Sequence, residues 1–315
     1  MVNEKKMMFM KTWLFFALTA CMIVPSAAFG GPLPAVVDTK WLENHIADPN
    51  LVIVDVRNSE DYKSGHVPGA VNIAYSTYMV KKDGLSDQMP ENAVVADLLR
   101  TAGIDAGSQI VVLGKAGNIG PEVGRVTRFL FTLAYAGVND TALLDGGMEK
   151  WTKEERPMDT QIVQPRPSGF QPEWKHALFA DKASVAVASE KSVALCDFRP
   201  KGFFTGEKIK KPEVLRPGHL PGAIEVQVEG LMNQENVVMG LGGFWTFKPV
   251  AEFRQIIESS LGASREKNVI SYCNTGVLST LGWFVLNRML GYTNIRMYDG
   301  SLEEWTQDPS ALVEK

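Results

Sequence analysis

Cysteine is scarce in this chain: Cys21, Cys196 and Cys273 are the only three in 315 residues. That is too few for a disulfide framework, and they lack the paired spacing of a zinc site. Charge of either sign is not in excess. Lys and Arg total 32 against 36 Asp and Glu, a formal net charge of -4, so no basic field is present to hold a nucleic acid. The apolar run at residues 13–24 falls short of the roughly 20 residues that span a bilayer, so no membrane span is expected. What remains is the composition of a globular protein, 45% hydrophobic and 22% charged, long enough for about two domains of roughly 100–200 residues each.

The first thirty residues read as a secretory signal peptide. Lys5, Lys6 and Lys11 form a basic start, the apolar run follows, and Ser26-Ala27-Ala28 supplies small residues for cleavage after Ala28 or Gly30. The mature protein is then periplasmic or secreted. A second reading takes Leu18-Thr19-Ala20-Cys21 as a lipoprotein box that anchors the chain through Cys21. Because Met22-Ile23-Val24 continues the apolar run past the cysteine, simple cleavage is preferred.

One unit is written twice. Val52-Ile53-Val54-Asp55-Val56-Arg57 is echoed by Ala194-Leu195-Cys196-Asp197-Phe198-Arg199, and Gly65-His66-Val67-Pro68-Gly69-Ala70 by Gly218-His219-Leu220-Pro221-Gly222-Ala223. Leu144-Asp145-Gly146, with Trp151 beyond, returns as Tyr298-Asp299-Gly300 with Trp305 beyond. From His66 to Asp145 is 79 positions and from His219 to Asp299 is 80, so order and spacing agree as well as identity. The second copy carries an insertion between Asp197 and His219. Four prolines at 157, 165, 167 and 172 mark an extended linker, since proline fixes φ and removes a donor. The divisions are therefore a signal at 1–30, a first domain at 31–152, a linker at 153–175 and a second domain at 176–315.

Residues 51–56, 110–113, 193–195 and 269–272 are continuous apolar runs of strand length, as strands buried on both faces require. Residues 93–102 and 250–261 carry apolar side chains at helical spacing, with Gly262 placed to stop the second. Alternating strands and helices predict an α/β fold: two tandem domains, each a parallel sheet flanked by helices.

The chemistry concentrates at Tyr272-Cys273-Asn274-Thr275-Gly276-Val277-Leu278-Ser279. An apolar strand ends at Tyr272 and a helix follows to about Leu290, so Cys273 opens a loop at the carboxyl end of a parallel strand, where open α/β sheets place ligands. Free N–H groups at a helix start favour an anion, and the thiolate is the nucleophile. Gly276 lets the loop turn its amides inward. Cys196, inside a strand, reads as core.

These motifs together resemble the tandem-domain rhodanese family, the thiosulfate and 3-mercaptopyruvate sulfurtransferases, over residues 35–310. The resemblance implies a transferase in which Cys273 takes the outer sulfur of a small anionic donor as a persulfide. A thiophilic acceptor then removes it: cyanide, a thiol or a thioredoxin-like reductant. It implies no metal or organic cofactor, and it makes backbone groups from Asn274, Thr275, Gly276, Val277, Leu278 and Ser279 the cradle for that sulfur. The matching first-domain loop, Gly114-Lys115-Ala116-Gly117-Asn118, has no cysteine, so that domain is expected to be catalytically silent. In this pattern His66 and His219 belong to structural turns, and Asp55, Asp145, Asp197 and Asp299 to turns and caps.

Several positions depart from the family. Asn274 and Thr275 are neutral where thiosulfate enzymes carry cations, and Phe203 stands where an arginine often grips the donor. Asp87-Gln88-Met89-Pro90 has no histidine where mercaptopyruvate enzymes tend to have one. Arg199 and Lys201 are the first candidates for the missing cation, with Lys208, Lys210, Lys211 and Arg216 of the insertion as reserves. Cysteine phosphatases share the fold but end their loop in an arginine six positions after the cysteine, where this chain has Ser279. A non-catalytic sulfur-carrier or binding module of the cell envelope is the remaining alternative.

Overall fold

The structure is a computed structural model that describes residues 31–236 and 243–315. The expected signal peptide and Cys21 lie outside the described residues.

Two five-stranded parallel sheets have the same order. In the first, Val36–Val37, Thr141–Leu144, Gln109–Leu113, Leu51–Asp55 and Val71–Asn72 lie side by side. In the second the order is Phe179–Ala180, Ile295–Tyr298, Val269–Tyr272, Ala194–Asp197 and Ile224–Glu225. Central strands are the most apolar because helices cover both faces: all four residues of Val269–Tyr272 are buried, as are Ile110 to Leu113. The predicted helices sit at Asn92–Thr101 and Val250–Leu261, and Gly262 ends the second at φ 80°. No helix among the described residues is long and apolar enough to cross a membrane.

The duplicated motifs do duplicated work. Arg57 grips Asp55 through Nη2 at 2.6 Å and donates to the Gly65 carbonyl at 2.7 Å; Arg199 does the same with Asp197 and Gly218 at the same distances. His66 stacks on Tyr62 with ring centroids 3.8 Å apart, and His219 on Phe204 at 3.7 Å. Each histidine's backbone bridges to the chain that leaves its domain, at Asp159 and at Glu314. Both histidines are buried structural pivots.

The segment after the first domain contains no helix or strand before His176. It is an extended strap laid on that domain: Trp151 donates to Pro157, Arg100 to Phe170, and the Glu173 and Lys175 amides to Ala136 and Tyr135.

Two antiparallel hairpins, Val80–Lys82 with Leu85–Gln88 and Met232–Glu235 with Phe244–Phe247, reach across to the other domain. Met89 donates its amide to Asp299, and Phe247 donates its amide to Asp145. The two aspartates thus receive the partner domain's hairpin, a role beyond the local turns expected of them. Between the hairpins, helix Gly124–Tyr135 packs on Leu278–Trp283, with the Thr127 and Thr280 hydroxyls 2.9 Å apart. The largest apolar core runs through this contact without a break and includes Phe129, Phe131, Leu281 and Phe284.

Candidate active site

Cys273 directly follows the central strand Val269–Tyr272. Its amide donates to Ser301 Oγ at 3.1 Å, its carbonyl accepts from Leu302, and the Asn274 carbonyl accepts from Glu303. With the carbonyls turned toward residues 301–303, the following amides face the other way. Those of Asn274 to Val277 meet no protein acceptor among the described residues. Gly276 makes the turn possible: its φ is 84°, and a Cβ there would lie 2.6 Å from the Asp299 carbonyl. The chain is helical from Leu278 to Met289, tightly to Trp283 and with wider turns beyond, and Gly291 closes it at φ 77°.

The cysteine is only 3% exposed, yet it lines a cavity of about 540 Å³ between the domains. Access to the sulfur is through that cavity. The walls are mostly apolar, with Met79, Ile119 and Pro121 from the first domain and Phe203, Val277 and Leu278 from the second. Three cations also line it. Arg199 is buried and committed to Asp197, leaving Nη1 to hold Asn274 Oδ1 at 3.1 Å. Burial opposes its charge, and the Asp197 carboxylate outweighs that and strengthens its hold on the proton. Lys210, from the insertion, places Nζ 3.4 Å from Thr275 Oγ1 and 4.0 Å from Asp87. Arg125, from the first domain, lays its guanidinium 3.7 Å over the Tyr75 ring.

The first domain also fastens the loop from behind. Thr275 donates to Asp87 at 2.8 Å. Arg128, fully buried, pairs with Asp299 at 2.6 Å and donates to the Asp87 carbonyl at 3.0 Å. Ser86 donates through its amide and hydroxyl to Glu303. A second groove, about 370 Å³, is also lined by Asp299 and contains no cysteine.

The model of the rhodanese-like domain family matches residues 38–154 and again 180–308. The chain belongs to that family. Thiosulfate sulfurtransferase of Corynebacterium glutamicum is 31% identical over 284 residues, 86% of this chain and 87% of that one. The sulfur carrier protein TtuD of Thermus thermophilus is 29% identical over 285 residues, 85% of this chain and 92% of its own. In the fold, the 3-mercaptopyruvate sulfurtransferase SseA of Escherichia coli superposes with a TM-score of 0.70 at 24% identity, covering 85% of this chain and 99% of its own. The anaerobic ergothioneine biosynthesis enzyme of Chlorobium limicola, solved with trimethyl histidine, gives 0.74 at 21%, covering 89% and 70%. The sequence relatives named thiosulfate sulfurtransferase support sulfurtransferase activity, and the two solved structures show the fold.

Backbone bonding identifies the position in the first domain that matches Cys273. The Gly114 carbonyl accepts from Met148 as the Cys273 carbonyl accepts from Leu302, three residues beyond Asp145 and Asp299 respectively. A Cβ at Gly114 would meet Val126 at 2.8 Å and Val56 at 3.0 Å, so a cysteine does not fit without displacement. Beside it Lys115 pairs with Asp61 at 2.8 Å, and their mutual hydrogen bond raises the lysine and lowers the aspartate. Around Gly114 the first copy is packed by its own side chains, and a pocket of only about 60 Å³ remains between Lys115, Asp61 and Arg125.

Of the residues singled out in the sequence, Cys273, Asn274, Thr275, Val277, Leu278 and Arg199 meet at the cavity. Gly276 and Ser279 stand behind it; Ser279 is buried and donates to the Gly276 carbonyl at 2.8 Å, shaping the turn. Lys201 is exposed and does not line the cavity. Lys210, one of the reserve bases, lines it instead. Cys196 is fully buried, and burial pushes its thiol up, which makes it inert. Arg125, Arg128 and Asp87 were not anticipated. Arg125 and Arg128 left one trace, two cations in a helix that is otherwise apolar or small apart from Thr127 and Thr132.

Proposed function

We propose that this protein moves sulfane sulfur from thiosulfate or a mercaptopyruvate-like anionic donor to a thiophilic acceptor through a persulfide on Cys273. The observation that carries the proposal is the position of Cys273: the one cysteine lining the inter-domain cavity among the described residues, at the start of a loop whose amides from Asn274 to Val277 meet no protein acceptor. The thiolate attacks the outer sulfur of the donor; the donor's sulfur bond breaks and sulfite, or an enolate, leaves. Free amides from Asn274 to Val277 stabilise the negative outer sulfur before and after transfer, a preorganised electrostatic effect. Lys210 Nζ supplies the positive charge that draws the anionic donor toward Thr275. An acceptor then attacks the outer sulfur and releases the Cys273 thiolate.

The basic start and apolar run in the sequence of residues 1–30 support a periplasmic or secreted site of action, with anchoring through Cys21 as the alternative. Likeness to TtuD favours a second reading in which the persulfide is held for a protein partner rather than turned over. Mass spectrometry after incubation with thiosulfate tests both. One added sulfur is expected on Cys273 in the native chain and none in Cys273→Ser, whose melting temperature should stay within a few degrees. A Cys273→Ser protein that still transfers sulfur to cyanide at the native rate would refute the assignment.

A further inference from the structure

The donor leaves most of the cavity unaccounted for. Thiosulfate has five heavy atoms, whereas about 540 Å³ corresponds to roughly eighteen water volumes at about 30 Å³ each. The cations also divide between the walls. Lys210 and Arg199 lie on the second-domain side against the Cys273 loop, and each already faces a carboxylate: Lys210 faces Asp87 and Glu213, and Arg199 faces Asp197. Arg125 stands on the first-domain side with Met79, Ile119 and Pro121. Among the described residues no carboxylate lies within ion-pair distance of it, and its guanidinium is held in place by the Tyr75 ring. Of the two carboxylates that line the cavity, Asp87 is taken by Thr275 and Lys210, and Glu229 is exposed at the rim.

We infer that the first-domain wall is the acceptor subsite. Its occupant is a low-molecular-weight thiol with an apolar body and one carboxylate, the body against Met79, Ile119 and Pro121 and the carboxylate on Arg125. The inference rests on the Cys273 persulfide proposed above and names what removes its sulfur. The acceptor thiolate attacks the outer sulfur of the persulfide, forming a new sulfur–sulfur bond while the bond to Sγ breaks. Cys273 leaves as the thiolate, and the acceptor departs as a persulfide that takes one proton from water. No oxidant or reductant is consumed. The domain without a nucleophile thereby sets the specificity of the second half-reaction.

The test uses the full-length protein loaded with sulfur from thiosulfate, then unloaded in single turnovers by 4-mercaptobenzoate or by thiophenol. Both thiols carry the apolar ring, and only the first carries the carboxylate. The ratio of their rates isolates the carboxylate contact from folding and from donor effects. Arg125→Gln should lower that ratio about tenfold, the effect of losing a charge-assisted pair, and Arg125→Lys should restore part of it. Should Arg125→Gln fold poorly, Ile119→Trp offers an independent reading by filling the same wall. It should lower the rate with thiophenol relative to cyanide severalfold. A native protein that acquires no sulfur ends both readings. One that loads normally, with the carboxylate ratio unmoved by Arg125→Gln or the thiophenol-to-cyanide ratio unmoved by Ile119→Trp, ends this one alone.

Discussion

At the position where the second copy carries Cys273 the first carries Gly114, and the first copy is also packed closely around that position. Gly114 sits where Val126 and Val56 leave no room for a Cβ, and the Lys115–Asp61 pair occupies the neighbouring space. Restoring a cysteine there should therefore cost stability without creating a second persulfide; mass spectrometry of Gly114→Cys after thiosulfate treatment should still find a single added sulfur. On the active side, two lysines close in sequence differ in consequence. Lys210→Gln should lower kcat/KM for thiosulfate about tenfold, roughly 1.4 kcal/mol, by removing the charge beside Thr275. Lys201→Gln, at an exposed position outside the cavity, should stay within about twofold of the native value. Equal losses in both would show that the insertion does not hold the donor. Cys273 was legible in the sequence because the chemistry demands a thiol at a strand end. The choice between Lys201 and Lys210 was not, because it depends on the path of the inserted chain, which no local pattern encodes.

At the level of elements, buried parallel strands announce themselves as apolar runs and helix 250–261 as a periodic one, so both were readable. The hairpins were not. Leu85–Gln88 and Met232–Glu235 are mostly polar and half-exposed, and what fixes them is a bond to the other domain. Their two aspartate anchors differ in a testable way. Asp299 has the Arg128 guanidinium beside it, while Asp145 relies on the Phe247 amide and a distant Lys150. Burial pushes the Asp145 carboxyl up from 3.8 to about 6, more than the Phe247 amide pulls it down. Because the folded value lies above the unfolded one, the group favours folding most when protonated. Its contribution is constant below about pH 4 and declines as pH rises to about 6, by at most about 3 kcal/mol. Asp145→Asn, which cannot ionise, should flatten this part of the stability–pH curve in urea titrations between pH 4 and 7. An unchanged slope would show that the carboxylate is better solvated than its surroundings indicate.

The whole molecule is a duplication whose halves no longer stand apart. Repeat spacing exposed the two units, and the prolines marked the segment between them as an extended linker. That extended segment straps down the first domain, and the largest core crosses from one unit to the other. Phe131 meets Trp283 edge-on with ring centroids 5.1 Å apart, and Leu281 and Phe284 are fully buried near the same seam. Each such side chain contributes roughly 1.5–3 kcal/mol when buried, so exposing a handful would cancel the stability of an ordinary domain, about 5–15 kcal/mol. The catalytic loop would lose its rear support as well, since Arg128 and Asp87 both come from the first unit. Residues 176–315 expressed alone should accordingly keep far-UV helical signal, lose near-UV signal and bind a hydrophobic dye. They should take no sulfur from thiosulfate until residues 31–175 are added in trans. Native-like near-UV spectra and persulfide formation by the isolated second half would mean that the first half is dispensable for the site, and that the shared core adds stability alone.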